Sequence, residues 1–446
     1  MPSTGIFVRH AMRSAGQGTR CVGLTLAVLS VLTGCAAGVD APTVIVDPPP
    51  VVVLQPATLK LPMLSITTGS GDIVSKEIYV PGTITLSDST GGTLVQGAME
   101  IRGRGNTTWS MPKKPYRLKL AASTSLLGMP ANRHWVLLAN YSDKSLLRND
   151  LTFELSRMMG MAWTPRSRFV DVQVNGRYDG VYQLTEHVRV GADRVNIPEM
   201  KASDTSAANI TGGYLLEIDE RRGEAFCFNS TMTRMVFCAA NPETLLEPAW
   251  ARQRAYIQNY IARTDSAIYS ARFTDPDVGY AAFLDVESVI NYYVLQEAVK
   301  NVDGGLRFGP YMYKQRNGKL FLGPVWDFDL AIGNVNYDGA DRVDGWHARK
   351  SQWFTRLFED PAFKARVASR WRDLKGAGAI DSLKKLVFSR GNYLNVVQVR
   401  NFERWPILGT YVWPNRVVTG SYDGEVIALN VWLLGRLQWV DAEIVR

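Results

Sequence analysis

The sequence predicts an α+β protein of two lobes, a strand-rich N-terminal lobe with one main helix and a mostly helical C-terminal lobe. Short β-type runs separated by Gly, Asp and Ser clusters begin near Leu61. Helical periodicity dominates the chain after residue 285. The 446 residues are enough for two packed lobes, which we place at 58–187 and 188–446.

The N-terminus has the pattern of a secretory signal. Three arginines precede an apolar run, 22–32, that is too short to remain as a membrane-spanning helix. The run ends in Leu32-Thr33-Gly34-Cys35, which resembles the lipobox of bacterial lipoproteins. We therefore expect residues 1–34 to be removed and Cys35 to anchor an exported protein to the bacterial membrane, on the periplasmic or outer-membrane side. An ordinary cleaved signal beside an incidental cysteine is the alternative.

The segment 35–57 is expected to be a flexible tether. It contains Pro48-Pro49-Pro50 and many small residues, and such a composition buries too little apolar area to order a chain.

Two cysteines remain for a disulfide if Cys21 leaves with the signal and Cys35 carries lipid. They are Cys227 and Cys238, and they flank a turn-like stretch at 229–231. A hairpin there would bring the two sulfurs within bonding distance, as an exported protein allows. A reduced pair is the alternative.

The strands of the N-terminal lobe are predicted from β-type runs. Residues 77–80 and 83–86 are two such runs. Residues 169–174 and 181–184 form a further pair, and Asn175-Gly176 between them is a typical hairpin turn.

One helix interrupts these strands. It follows Ser142-Asp143, where a capping side chain precedes apolar residues at helical spacing from Leu147 to Met158. Gly160 supplies the end. Glu154 lies beside the apolar stripe of this helix.

The C-terminal lobe has its clearest helix at 285–300, where apolar residues follow one face. A hairpin about Asn317-Gly318 comes next, with strands at 311–315 and 319–322. The remainder, 353–445, is predicted as helices and loops.

The charge pattern argues against a nucleic-acid partner. The 50 basic and 42 acidic residues give a net charge of +8, but they are interspersed and form no basic block. A cationic cleft would instead suit an acidic or phosphate-bearing ligand. Four histidines and no Cys/His cluster with zinc spacing argue against a His-built metal site.

Three aspartates around the predicted hairpin form the sharpest functional signal. Folding about Asn317-Gly318 places Asp327 opposite about Phe308, so the loop with Asp303 lies beside the exit with Asp327 and Asp329. Converging carboxylates repel one another unless a cation or proton compensates. Oxygen ligands suit Mg²⁺ or Mn²⁺. A turn or cap role is the alternative for any one of these aspartates.

This arrangement of helix, Asp, hairpin and Trp-Asp-Phe-Asp resembles the CotH kinase family, named for spore-coat protein H. The resemblance extends over about residues 61–441. Five further segments recur in family order: Arg102-Gly103-Arg104-Gly105-Asn106, Pro112-Lys113-Lys114-Pro115-Tyr116-Arg117, Leu146-Leu147-Arg148-Asn149, Asn175-Gly176 through Gly180-Val181-Tyr182, and Gly212-Gly213-Tyr214.

The resemblance implies an atypical protein-kinase fold that transfers the γ-phosphoryl group of ATP to Ser or Thr of secreted or envelope proteins. It implies that Asp327 holds Mg²⁺ or Mn²⁺ and that Asp303 faces the acceptor hydroxyl as base or orienter, with a metal contact as a further option. Asp329 or Asn334 would bind a second metal, because Phe308 stands where ordinary kinases have a metal-binding Asn.

In the N-terminal lobe the resemblance points to phosphate-binding cations. Arg102 and Lys114 are the candidates, and Glu154 is the acid that would orient the lysine. Glu186 lies where a hinge would join the lobes and is a candidate nucleotide contact. Solvated strand-edge and surface positions are the alternatives for Lys114 and Glu186. The glycine-rich, Val-Ala-x-Lys and His-Arg-Asp motifs of ordinary kinases are absent from the sequence.

Two other function classes stay open. Glu217 and Asp219 lie two apart on a predicted strand and so share a face, which is compatible with a glycoside hydrolase. A catalytically inactive scaffold that binds nucleotide and an envelope partner is the other class. The sequence does not reveal the phosphoacceptor, the source of ATP or the oligomeric state.

Overall fold

The N-terminal strands close into a seven-stranded barrel. The computed structural model describes residues 60–69 and 71–444, so the expected signal, the tether and Cys35 lie outside the described residues. The strand order is β1-β2-β3-β4-β5-β7-β6, and a parallel pairing of β1 with β6 closes the barrel. The strands are β1 Met63–Thr68, β2 Val80–Ser87, β3 Thr93–Gly103, β4 Tyr116–Leu126, β5 Met129–Leu138, β6 Ser167–Val174 and β7 Arg177–Glu186.

Side chains along the strands alternate between the barrel core and the outer face of the barrel. In β4, Tyr116, Leu118 and Leu120 are buried in the barrel core, whereas Arg117 and Lys119 alternate with them on the other face. This two-residue period is what turns Arg117 away from the core.

The strand predicted at 77–80 is wrong for all but its last residue. The hydroxyl oxygen of Ser75 accepts the backbone N–H groups of Glu77 (3.0 Å) and Ile78 (3.1 Å). A side chain therefore satisfies donors that a sheet partner would need, and β2 begins only at Val80.

Two helices interrupt the barrel strands, α1 (Thr107–Ser110) after β3 and α2 (Arg148–Met158) after β5. The helix predicted after Asp143 is confirmed as α2. The Asp143 carboxylate accepts the Arg148 backbone N–H at 2.8 Å and pairs with the Arg148 guanidinium. Gly160 has a φ of +67°, the left-handed conformation that ends many helices.

The predicted hairpin through Asn175-Gly176 is confirmed as β6 and β7. Asn175 has a φ of +49° and Gly176 of +77°, as a two-residue turn with both residues at positive φ requires.

A second, five-stranded sheet follows the barrel in the order β12-β11-β8-β10-β9. Its strands are β8 Tyr214–Asp219, β9 Cys227–Asn229, β10 Val236–Asn241, β11 Phe308–Lys314 and β12 Leu320–Leu322. Cys227 and Cys238 lie opposite each other in the β9–β10 hairpin, and a disulfide joins them.

The C-terminal part is mostly helical, so the overall class is the predicted α+β. The helix predicted at 285–300 is α5: the Asp285 carboxylate caps its first turn by accepting the Ser288 N–H, and Lys300 ends it in the left-handed conformation. None of the helices within residues 60–444 is both long and apolar enough to cross a membrane. The helices are α3 Ala251–Tyr269, α4 Tyr280–Phe283, α5 Val286–Val299, α6 Gln352–Leu357, α7 Pro361–Gly376, α8 Ala379–Asn395, α9 Gln398–Arg404 and α10 Tyr422–Glu443.

Candidate active site

A cavity of about 350 Å³ lies between the loop that leaves β3 and the second sheet. Its lining carries both cations and acids. The cationic residues are Lys76, Arg102, Arg104, Arg117 and Arg221, and the acidic ones include Glu77, Glu217, Asp219, Glu224, Asp303, Asp327 and Asp329. We call Arg102, Arg104 and Arg117 the arginine wall. Opposite charges in one cleft suit a ligand that has both an anionic group and a bound cation.

The three aspartates of the sequence analysis all line this cavity. Asp303 follows α5, and Asp327 and Asp329 follow β12. Burial, and then the charge of Asp327, raise the pKa of Asp303 to about 7. Burial, followed by Asp327 and Asp143, raises the pKa of Asp329 well above its ordinary value. The carboxylates thus lie close enough to disfavour one another's ionised form, which a cation would reverse.

The ladder of the β11–β12 ribbon is shorter than predicted and ends before the aspartates. The last residue pair of its ladder is Met312 with Leu322. Phe308 pairs with Asp219 of β8 and therefore does not lie opposite Asp327. Pro324 has no backbone N–H and cannot continue the ladder. The chain therefore leaves the ribbon before it reaches the aspartates.

Asp327 is held in an uncommon backbone conformation by two asparagines. Its φ is +66°, a region that Asp tolerates better than most residues but that still costs energy. Its carbonyl accepts from Asn301 at 3.2 Å, and the next N–H, that of Phe328, donates to Asn149 of α2 at 2.8 Å. The buried Phe328 ring packs edge-on against Phe153. These contacts fix where the carboxylate of Asp327 points.

Two residues of the arginine wall have donors without partners. The Nε atoms of Arg102 and Arg117 are buried and form no hydrogen bond within the described residues. Their terminal nitrogens are partly engaged: Arg102 donates to the Lys76 carbonyl and lies 4.0 Å from Glu77, and Arg117 lies 3.8 Å from Glu243. Buried donors are normally satisfied, so this wall fits an anion such as a phosphate.

Arg104 is the cation that the sequence analysis missed as a site residue. Its guanidinium lies over the ring of Trp326, 5.2 Å from the ring centroid, and takes part in no hydrogen bond or ion pair among the residues described. The signal was present in the Arg102-Gly103-Arg104 spacing at the end of β3, where two cations flank a single glycine.

Lys114 lies away from this cavity, contrary to its proposed role beside Arg102. Its Nζ donates to the Trp109 carbonyl at 2.7 Å, and it lines a separate cavity of about 400 Å³ near Trp405. The neighbouring Lys113 is buried and donates to the Val181 carbonyl and to Asn401 of α9. Neither lysine is near the aspartates.

Two glutamates of the sequence analysis do not line the cavity: Glu154, expected to orient the lysine, and Glu186, a candidate nucleotide contact. Glu154 pairs with Arg157, one turn away on α2, at 2.9 Å and lies 3.7 Å from Arg390 of α8, so it orients no lysine. Glu186 is buried and pairs with Arg166 at 2.8 Å, which stabilises the end of β7. The contacts with Arg390 and Arg166 depend on the fold and are not revealed by sequence spacing.

Glu217 and Asp219 share one face of β8 and line the cavity, but they differ in environment. The Asp219 carboxylate accepts from the backbone N–H of Arg221 at 3.0 Å and from its Nε at 2.8 Å. The Glu217 side chain takes part in no hydrogen bond or ion pair among the residues described, and burial followed by Asp219 raises its pKa to about 8.

A metal ligand set made only of side chains is absent here. In residues 60–69 and 71–444, no three His, Cys, Asp or Glu side chains are arranged to hold a metal ion. Two carboxylates, Asp327 and Asp329, interact directly with each other. Such a pair fits Mg²⁺, which commonly takes one or two carboxylates and completes its shell with phosphate oxygens and water.

The family comparison matches this part of the chain. Residues 101–440, well over half of the sequence, match the family described as CotH kinase protein. The chain belongs to the CotH kinase family. The matched range of the CotH domain contains Arg102, Arg104, Asp303, Asp327 and Asp329. Membership in the CotH family suggests an atypical kinase that uses ATP. No curated protein matched the chain.

Proposed function

We propose that this protein is an atypical protein kinase that transfers the γ-phosphoryl group of ATP to Ser or Thr hydroxyls of exported or envelope proteins. The observation that carries the proposal is that Arg102, Arg104 and Arg117 line the same cavity as Asp303 and Asp327. Phosphoryl transfer needs positioning and charge stabilisation more than covalent work by the protein, and these arginines and carboxylates provide both.

The arginine wall is assigned to the phosphates. Arg102, Arg104 and Arg117 present guanidinium groups with free donors, and guanidinium forks bind phosphate oxygens in pairs. This assignment replaces Lys114, which faces a different cavity.

Asp327 and Asp329 are assigned to Mg²⁺ or Mn²⁺. When bound, the divalent ion would neutralise charge on the phosphate oxygens. Asn149 and Asn301 both hold the peptide group that follows Asp327, so its carboxylate is positioned before any ligand arrives.

Asp303 is assigned to the acceptor hydroxyl. In the transfer, the hydroxyl oxygen forms a bond to the γ-phosphorus while the bond to the β,γ-bridging oxygen breaks. ADP leaves with that electron pair, and the hydroxyl proton passes to the Asp303 carboxylate.

Export and lipid anchoring through Cys35 belong to the same proposal. The Leu32-Thr33-Gly34-Cys35 motif supports the anchor, and the Cys227–Cys238 disulfide is compatible with an oxidising compartment outside the cytoplasm.

The test is transfer from γ-labelled ATP by the purified chain with Mg²⁺ or Mn²⁺, using a mixed envelope-protein fraction as acceptor. Asp303→Asn and Asp327→Asn keep the side-chain shape but lose the charge, and Asp381→Asn changes an exposed carboxylate on α8 as the matched control. We expect labelling by the wild type and by Asp381→Asn, and loss of at least a hundredfold in the two cavity variants.

Other outcomes separate the competing functions. Nucleotide binding without transfer supports the inactive scaffold. Release of sugar from envelope glycans, sensitive to Glu217→Gln, supports the hydrolase. Equal labelling by all four proteins removes the assignment of Asp303 and Asp327.

A further inference from the structure

Two exposed aromatic residues and one half-buried aromatic residue lie at the rim of the catalytic cavity. Trp413 lines the cavity together with Asp303 and is 51% exposed, and Tyr411 is 53% exposed. The Tyr337 ring stacks on the Trp413 ring, with centroids 5.9 Å apart and planes 3° apart. We call Tyr337, Tyr411 and Trp413 the aromatic platform. Large exposed aromatic surfaces next to a cavity usually bind something.

The platform is attached firmly to the aspartate segment. Val335 and Asn415 form an antiparallel bridge between the two chain segments that carry it. The buried Asn415 side chain donates to the Asn334 side chain at 3.1 Å, and Asn334 donates to the Asp329 carbonyl at 2.7 Å. Asn336 donates to the Tyr411 hydroxyl at 3.1 Å. The exposed rings therefore keep a fixed position relative to Asp329, as a preorganised binding surface requires.

The charge around the platform indicates which substrate it faces. Burial, and then Asp303 and Asp329, raise the pKa of Tyr337 to about 12, so its hydroxyl senses both carboxylates. Asp338 adds a further exposed carboxylate beside it. Asp303 and Asp338 thus form an acidic rim beside the platform. Asp303 is also the residue assigned to the acceptor hydroxyl, and Trp413 lines the cavity with it, so the platform borders the place of the acceptor. The nucleotide's phosphates are assigned to the arginines and to the metal on Asp327 and Asp329.

We propose that the aromatic platform binds the acceptor polypeptide, by stacking a ring-bearing side chain (Tyr, Phe, Trp or Pro) that neighbours the phosphorylated Ser or Thr. The proposal rests on the kinase function proposed above, and it adds the sequence preference of the acceptor. The acidic rim further favours acceptors with Lys or Arg near the hydroxyl over acidic ones.

Stacking supplies both affinity and selectivity at this position. Aromatic pairs contribute energy beyond the area that they bury, and truncation of one partner to alanine lowers binding by about tenfold. Trp413→Ala should therefore raise KM for an aromatic-containing acceptor by about tenfold while KM for ATP stays within twofold. Trp413→Phe keeps a planar ring and should retain most of the preference.

The test uses a peptide library with a central Ser and one flanking position fixed as each amino acid in turn, with γ-labelled ATP and Mn²⁺. The full chain is compared with Trp413→Ala, Trp413→Phe and Phe388→Ala, which removes an exposed aromatic ring on α8 that does not line the cavity. We expect aromatic or proline selection at one flanking position in the wild type, in Trp413→Phe and in Phe388→Ala, and its loss in Trp413→Ala.

The outcomes distinguish this inference from the function on which it rests. Transfer to the library without aromatic or proline selection, or selection that survives Trp413→Ala, overturns the platform proposal and leaves the kinase function standing. Nucleotide binding without transfer to any peptide overturns both.

Discussion

Replacement of Lys113 by Met should change how the stability of the protein depends on pH. Lys113 is 1% exposed, and its Nζ donates to Asn401 of α9 at 2.9 Å and to the Val181 carbonyl. It also lies 4.6 Å from the Tyr182 ring centroid. The side chain thus joins the barrel to a C-terminal helix through a buried amine.

The magnitude follows from the pKa of that amine. Burial lowers the pKa of Lys113 from 10.5 to about 7, and Asp179 and Asp171 oppose this shift. The pKa of Lys113 thus differs by roughly 3.5 between the unfolded and the folded chain, which corresponds to about 5 kcal/mol of preference for the neutral amine in the folded state. Between about pH 7 and 10.5 the unfolded chain keeps a proton that the folded chain has released. The contribution of Lys113 to stability therefore rises with pH, by about 1.4 kcal/mol per unit within this window.

The assay is urea unfolding of the wild type and Lys113→Met, followed by tryptophan fluorescence at pH 6, 7, 8 and 9. The free energy of unfolding of the wild type minus that of the variant should rise by about 2 to 3 kcal/mol between pH 6 and 9. Lys114→Met is the matched control, since Lys114 is the adjacent lysine and is only partly buried. Its difference from the wild type should stay constant over the same range.

A flat pH profile for Lys113→Met, parallel to that of Lys114→Met, would refute the reasoning. It would mean that the amine keeps its charge in the folded state, with Asp171 and Asp179 outweighing burial.

Three further perturbations test other parts of the structure. Glu297→Gln weakens a fully buried ion pair at 2.8 Å and should lower the free energy of unfolding by about 3 to 5 kcal/mol, measured by urea titration. Replacing both Cys227 and Cys238 with Ala removes the disulfide, which joins residues 11 apart, and should lower the free energy of unfolding by about 3 kcal/mol in the same titration. An unchanged midpoint would show that the disulfide adds no stability. Asn149→Ala leaves the buried Phe328 N–H without its acceptor, which should cost about 1 to 3 kcal/mol and weaken Mn²⁺-dependent nucleotide binding by calorimetry.

Local patterns predicted the elements whose residues interact with near neighbours in the chain. The Asn175-Gly176 hairpin and the α5 helix from its Asp285 cap to Lys300 needed only turn and cap chemistry, and both were confirmed. The barrel closure was not predictable in this way. It depends on the parallel pairing of β1 with β6, more than 100 residues apart, which no local periodicity encodes.

The candidate site likewise has one part that the order of the sequence predicted and another part that it did not. The order of helix, Asp, hairpin and Asp was enough to bring Asp303 and Asp327 to one cavity. The partners of single charged residues could not be predicted from the sequence, because a lysine or glutamate is satisfied by whichever group the fold brings near it. Glu154 illustrates this: Arg390 of α8, distant in the chain, lies 3.7 Å from its carboxylate, where the sequence analysis expected Lys114.

Helix α2 determines how the aspartate segment sits relative to the barrel. Arg148, at its first turn, donates to the carbonyls of Ala331 (3.0 Å) and Ile332 (3.3 Å), just beyond the aspartates. One residue later, Asn149 accepts from the N–H of Phe328. The same turn is held to the chain that leaves β5 through the buried pair of Arg148 with Asp143. This one helical turn contacts both the chain that leaves β5 and the segment that follows Asp327. A shift of α2 would therefore move the aspartates relative to the arginine wall. Any partner or modification that acts on α2 would then act on the cavity.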